Sequence, residues 1–222
     1  MDMARNLPVR GERHIDEVQI FPQRGFVYHI KGGGISGKLM RPFAELWAAL
    51  TLSQGEYVHW IDGASRFNPA RIMNNFPQHI PQPEQLLHGL FVGRGFTVHQ
   101  FSHLIERLSD EIKITKARLI VVDGPITMHL DSQVNDYEAR SLLRKSMNIL
   151  SQIAIDYQIP VVVITAAKGF SQRHASLLAL VANRSQNSLV GRYRRHMGKN
   201  KLWLTHLPSG SSGFRYESSN QE

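Results

Sequence analysis

None of the 222 positions holds a cysteine. Disulfides and thiolate metal sites are therefore excluded, and a reducing intracellular setting is expected. No apolar run approaches the roughly 20 residues that cross a bilayer, and the opening "MDMARNLPVRGERHIDE" lacks the apolar stretch of a secretion signal. The expected location is intracellular, with no membrane partner. Acidic residues are also missing over a long stretch, since none occurs from Tyr157 to Tyr216. That stretch carries Lys168, Arg173, Arg184, Arg192, Arg194, Arg195, Lys199, Lys201 and Arg215, within a chain of formal net charge +8. Clustered Lys and Arg displace counterions from nucleic acid, so a polyanion-binding surface is the sharper reading and a solvated basic face the plainer one.

Apolar runs alternate with amphipathic stretches. "GFVYHI", "EYVHWID", "ARLIVVDG" and "IPVVVITA" read as strands, and "FAELWAAL", "FTVHQFSHLIERLSDEI" and "EARSLLRKSMNILSQIAIDY" as helices. Continuous apolar strands imply burial on both faces, and their alternation with helices implies a mostly parallel sheet. "KLWLTHL" and "GFRYES" read as an antiparallel pair across a Pro-Ser-Gly turn. The expected fold class is α/β, a mostly parallel twisted sheet with helices on both faces and a C-terminal antiparallel strand pair. Residues 1–24 read as a lead-in, 25–217 as one core domain and 218–222 as a flexible tail. "HLDSQVNDYE" and "KGFSQRHASLLALVANRSQNSLVGR" read as long loops. In such a sheet, ligands bind beyond the carboxyl ends of the strands, where the glycine loop, Asp62, Asp123 and both loops should meet.

"KGGGISGKLMRP" follows the first strand. Gly32 and Gly37 have the G-x-x-x-x-G spacing of a phosphate loop, and Lys38 follows as a point charge for terminal phosphates. Gly33, Gly34 and Ser36 complete the cradle. Leu39 stands where Ser or Thr would give magnesium an oxygen. Pro42, four residues past Lys38, cannot bond the Lys38 carbonyl, so the helix should begin near Met40 or Arg41. Asp123 closes an apolar strand, as does the acid that holds the magnesium shell in such ATPases. His99 and His103 sit one helical turn apart but have no evident third ligand, so solvated histidines and no metal site are expected. No G-x-S-x-G elbow supports a serine hydrolase.

In order, these pieces resemble the RecA/RadA recombinase family. "LPVRGERHIDEV" is similar to its lead-in, "KGGGISGK" to its phosphate loop and "YVHWIDGASRFNPARI" to its "YIDTEGTFRPERI". "GRGFTVHQFSHLIERL" resembles its "ARAYTVDHQ" helix, "ARLIVVDGPITMHL" its magnesium-shell strand and "LSQIAIDYQIPVVVITAAKG" the strand ending in "TNQV". The resemblance implies a RecA-like core without a helical N-terminal domain, like the core-only paralogues. It places the catalytic glutamate on Ala64, the phosphate-sensing Asn-Gln pair on Ala166 and Ala167, and the metal hydroxyl on Leu39, and no F-x-x-A segment precedes the first strand. It therefore implies an accessory factor in homologous recombination and DNA repair with no catalytic residue. ATP would be held weakly or without Mg²⁺, or not at all, through Gly32, Gly33, Gly34, Ser36, Gly37, Lys38 and Asp123. DNA, single- or double-stranded, would be gripped by Lys168, Phe170, Arg173, Arg184, Arg192, Tyr193, Arg194, Arg195, Lys199 and Lys201. A recombinase or another paralogue would be the protein partner, in a homo- or hetero-oligomer. Two other readings stay open: a DNA-dependent ATPase in which Asp62 or Ser65 stands in near Ala64, and a nucleotide-free filament regulator that does not touch DNA.

Overall fold

The apolar runs become strands because their alternate side chains feed two separate cores. A computed structural model describes residues 14–15, 20–196 and 198–215. Its strands are β1 (His14–Ile15), β2 (Val27–Gly32), β3 (Val58–Asp62), β4 (Leu90–Arg94), β5 (Leu119–Asp123), β6 (Val161–Ala166), β7 (Asn187–His196), β8 (Lys199–Leu207) and β9 (Ser212–Arg215). They form one sheet in the order β1-β9-β8-β7-β2-β6-β5-β3-β4. β7, β2, β6, β5, β3 and β4 are parallel, whereas β8 is antiparallel to both β7 and β9. The expected mostly parallel sheet and antiparallel C-terminal pair are both present.

The helices are α1 (Arg41–Ser53), α2 (Pro69–Met73), α3 (Pro83–Leu86), α4 (Val98–Thr115), α5 (Asp136–Tyr157) and α6 (Gln172–Ala182). Leu119 and Val121 join Tyr28, Ile30, Val162 and Ile164 against Phe43 and Trp47 of α1. Ile120 and Val122, one residue out of phase, join Val161 and Val163 against Phe101, Ile105, Leu143, Met147 and Leu177 of α4, α5 and α6. Full burial of each such side chain is worth about 1.5–3 kcal/mol, so a one-residue slip of β5 would exchange its whole contribution between the two cores. Helix ends are set locally. The side chains of Thr97, Asn135 and Ser171 accept backbone N–H bonds at the starts of α4, α5 and α6. Among the described residues no helix is long and apolar enough to cross a membrane.

Three expectations need correction. Residues 168–192 are not one loop: after a short turn they form α6 and the start of β7. Leu177, Leu180 and Val181 bury at helical spacing, and Leu189 enters the α1-side core. The polar ends of that stretch masked the periodicity of its middle. Gly191–His196 and Lys199–Lys201 pair across the β7–β8 hairpin. "HLDSQVNDYE" shrinks to a short turn, because a 3-10 turn spans Thr127–Leu130 and α5 starts at Asp136. Part of the expected lead-in joins the sheet, where β1 pairs parallel with β9. The expected tail, 218–222, and residues 1–13 and 16–19 of the lead-in lie outside the described residues.

Candidate functional site

The parallel register brings the anticipated residues to one edge. Gly32 lies beside Ala166, Asp123 beside Ile164, and Asp62 beside Asp123. The glycine loop turns sharply there, with left-handed backbone at Gly34 (φ 83), Ser36 (φ 51) and Gly37 (φ 77). Gly37 is required twice over, because a side chain there would also strike the Thr165 carbonyl. The loop has turned part of its donor set inward. The Gly37 N–H donates to the Gly34 carbonyl (3.3 Å) and the Leu39 N–H to the Gly33 carbonyl (3.1 Å). The Ser36 hydroxyl lies 2.8 Å from that of Thr127. A phosphate cradle instead aims such groups at its anion. As the proline required, α1 begins at Arg41 with Pro42 in its first turn.

Arg41, the first residue of α1, turns into the protein. Its Nε donates to Oδ2 of Asp123 at 2.5 Å and its Nη2 to Oδ1 at 3.0 Å. Both side chains are buried, 1% and 0% exposed, so this is a bidentate pair without solvent. Burial works against the Arg41 charge, but the hydrogen bond and charge of Asp123 outweigh it and hold its pKa above the ordinary value. A cation in the first turn of a helix opposes the helix dipole. Its presence there was the overlooked sequence signal for a buried acidic partner.

Asp62 is equally committed. Its carboxylate accepts from the backbone N–H groups of Ala64, Arg66 and Phe67 (3.0–3.2 Å) and pairs with Arg94 at 2.9 Å. It thereby shapes the turn from β3 to α2. Ala64 in that turn packs against Gly124, where an added Cβ would lie 2.6 Å from the Ala64 methyl. The Ala167 N–H closes the other side by donating to the Gly32 carbonyl at 2.8 Å. Between α1 and the β3–α2 turn lies a cavity of about 330 Å³, lined by Lys38, Arg41, Ser65, Arg66, Asn68 and Arg71 among others. Arg66 and Arg71 were not anticipated as site residues. Arg71 faces the buried Glu45 at 3.7 Å.

The basic residues do not form one patch. Lys168 and the 80% exposed Phe170 flank the turn after β6. Arg173 is largely covered and sits 3.3 Å from Asp136. Arg184 precedes β7, at the opposite edge of the sheet, and donates to Asn148. Arg192, Tyr193, Arg194, Arg195, Lys199 and Lys201 are together on the β7–β8 hairpin. β7 leaves the register of β2 after Val190, so six further residues carry it about 20 Å past that point. Strand alternation puts Arg192, Arg194, Lys199, Lys201 and Trp203 on one face. The Arg194 guanidinium lies over Trp203 at 4.4 Å, and Trp203 meets Phe214 edge-on at 4.9 Å. His99 and His103 are exposed and face Glu138 and Glu106.

Residues 45–206 match the Rad51 family. The chain belongs to this family. The matched span begins just beyond the glycine loop and Arg41, and runs through β8 as far as His206. Among curated proteins no sequence match is found. For the Rad51 family, recombination and repair, DNA and nucleotide binding, and assembly with other recombinase subunits are general properties, and they set the context for this member. The family also implies a magnesium nucleotide at the glycine loop. Magnesium requires oxygen ligands at about 2.0–2.1 Å. Leu39 offers none, and both Asp123 oxygens are engaged by Arg41. Asp62 is held by three backbone N–H groups and Arg94. The donor set does not fit the metal.

Proposed function

We propose that this chain is an accessory member of the Rad51 family that supports recombination and repair without hydrolysing ATP. The observation that carries this reading is the buried Arg41–Asp123 pair. Phosphoryl transfer needs metal, a positioned water and charge stabilisation together. The strand-end acid is occupied, and Leu39, Ala64, Ala166 and Ala167 supply no polar side-chain atom. A stand-in by Asp62 is disfavoured by its hydrogen bonds to the turn and its ion pair with Arg94. We expect no ATP turnover above background with Mg²⁺ and DNA, in wild type or Lys38→Ala. A DNA-stimulated turnover abolished by Lys38→Ala would establish the ATPase reading instead.

DNA contact is assigned to the β7–β8 hairpin, with Lys168 and Phe170 adjoining the same sheet edge. The hairpin supplies point charges for phosphates and, in the exposed Tyr193, a ring for stacking. Arg173 and Arg184 are left out, because one is paired with Asp136 and the other lies at the far edge. Binding of a labelled oligonucleotide should weaken as salt rises. Arg192→Gln, Arg194→Gln and Arg195→Gln together should flatten the log–log slope by about 0.7–0.9 for each phosphate no longer neutralised. An unchanged affinity in that triple variant would favour the filament regulator that does not touch DNA. The outer edge of β4, the last strand of the sheet, exposes Phe91 and Val92. It is the surface we assign to docking a recombinase or another paralogue.

A further inference from the structure

The misfit with magnesium has a positive counterpart. We infer that Lys38, Arg66 and Arg71, backed by Arg41, form a metal-free site for a doubly charged phosphate-type anion. The site sits beside the glycine loop in the cavity between α1 and the β3–α2 turn. Four basic side chains and no acidic one line that cavity. Behind the lining, Asp123 is matched by Arg41 and Glu45 by Arg71. Asp62 is matched by Arg94.

Lys38 and Arg66 are left without an ion-pair partner among the described residues, although both border the same concave space. Two unmatched cations call for an anion of charge about −2. Ser65 and Asn68 add neutral hydrogen-bonding side chains beside them. In a metal-dependent site a divalent ion bridges the carboxylate and the anion. Here the Arg41 guanidinium occupies the carboxylate, and fixed cations meet the anion directly. Magnesium therefore has no ligand to gain in this cavity, and in solution it competes with the cations for the anion.

The Lys38 and Arg66 side chains are solvent-reachable, so their replacement tests the site without opening the core. The probe is inorganic pyrophosphate, titrated calorimetrically into the full chain in EDTA, with parallel titrations in Mg²⁺. One equivalent should bind in EDTA, and Mg²⁺ should leave the affinity equal or weaker. Lys38→Gln and Arg66→Gln should each weaken binding about tenfold. Binding that requires Mg²⁺, no binding at millimolar pyrophosphate, or an unchanged affinity in Arg66→Gln would overturn the inference. A parallel arm with ATP in EDTA separates sources of the same chemistry. Equal affinities point to the phosphates alone, tighter ATP to a nucleotide's phosphate tail, and either supports the site. The triple hairpin variant should bind pyrophosphate like wild type, so the anion site and the DNA surface can fail independently.

Discussion

Removing one member of the Arg41–Asp123 pair should cost far more than removing both. The two side chains are 1% and 0% exposed and share two hydrogen bonds of 2.5 and 3.0 Å. Arg41→Met strands a carboxylate beneath α1, and Asp123→Leu strands a guanidinium. Breaking a buried pair in this way typically costs about 3–5 kcal/mol. In a chain of this size about 1 kcal/mol moves the melting midpoint by roughly 2–4 °C, so each single variant should melt about 6–20 °C lower. The double variant replaces the pair with apolar groups of similar volume and should recover most of the loss, because neither desolvation cost remains. Urea unfolding of the four proteins closes a double-mutant cycle, with an expected coupling above about 1.5 kcal/mol. The exposed Lys113–Asp110 pair, at 2.7 Å, is the control, and its removal should leave the midpoint in place. Arg41→Ala adds a second readout, since a freed Asp123 with space beside it should make the variant's midpoint rise with Mg²⁺ while wild type stays flat. Single-variant costs that simply add, together with a magnesium response already present in wild type, would refute the placing of Arg41 in the metal's position.

Stability should also fall in acid through His29. Its Nε2 lies 2.7 Å from the Thr165 hydroxyl, which itself donates to the Ala166 carbonyl, so Nε2 carries the proton and Nδ1 is left without a partner. Burial, with Lys31 adding to it, pushes its pKa down to about 3. The unfolded chain therefore binds the extra proton first. Stability from this group is intact above about pH 6.5 and falls by up to about 1.4 kcal/mol per pH unit from there towards pH 3. His29→Gln should flatten a melting-versus-pH profile over pH 4–6.5; an unaltered slope would assign the acid sensitivity elsewhere. Gly37→Ala should destabilise by about 1–3 kcal/mol from the left-handed backbone alone, with the Thr165 carbonyl displaced in addition. Circular-dichroism melting checks it, and a neutral effect would contradict the loop geometry. Trp203→Leu removes the ring under Arg194 and should weaken oligonucleotide binding about threefold with little loss of stability.

Much of this was legible before any tertiary contact was known. Continuous apolar runs such as "LIVVD" require burial on both faces, so with their alternation with helices a mostly parallel sheet followed, and its carboxyl edge was the place to expect a candidate site. Pro42 located the start of α1 because a proline without an N–H is tolerated only in the first turn. Leu39 removed a metal ligand by its chemistry, whatever the fold. The sequence also showed how basic the C-terminal third is, but not where those charges lie. Only strand register decided that Arg192 to Lys201 share a projecting hairpin while Arg184 sits at the opposite edge. Only packing joined Arg41 to Asp123 across 82 positions of chain. Local pattern reports which face of an element is apolar. Which charge meets which is set by crossovers that bring distant strands side by side, and by the cost of leaving either charge alone in the core.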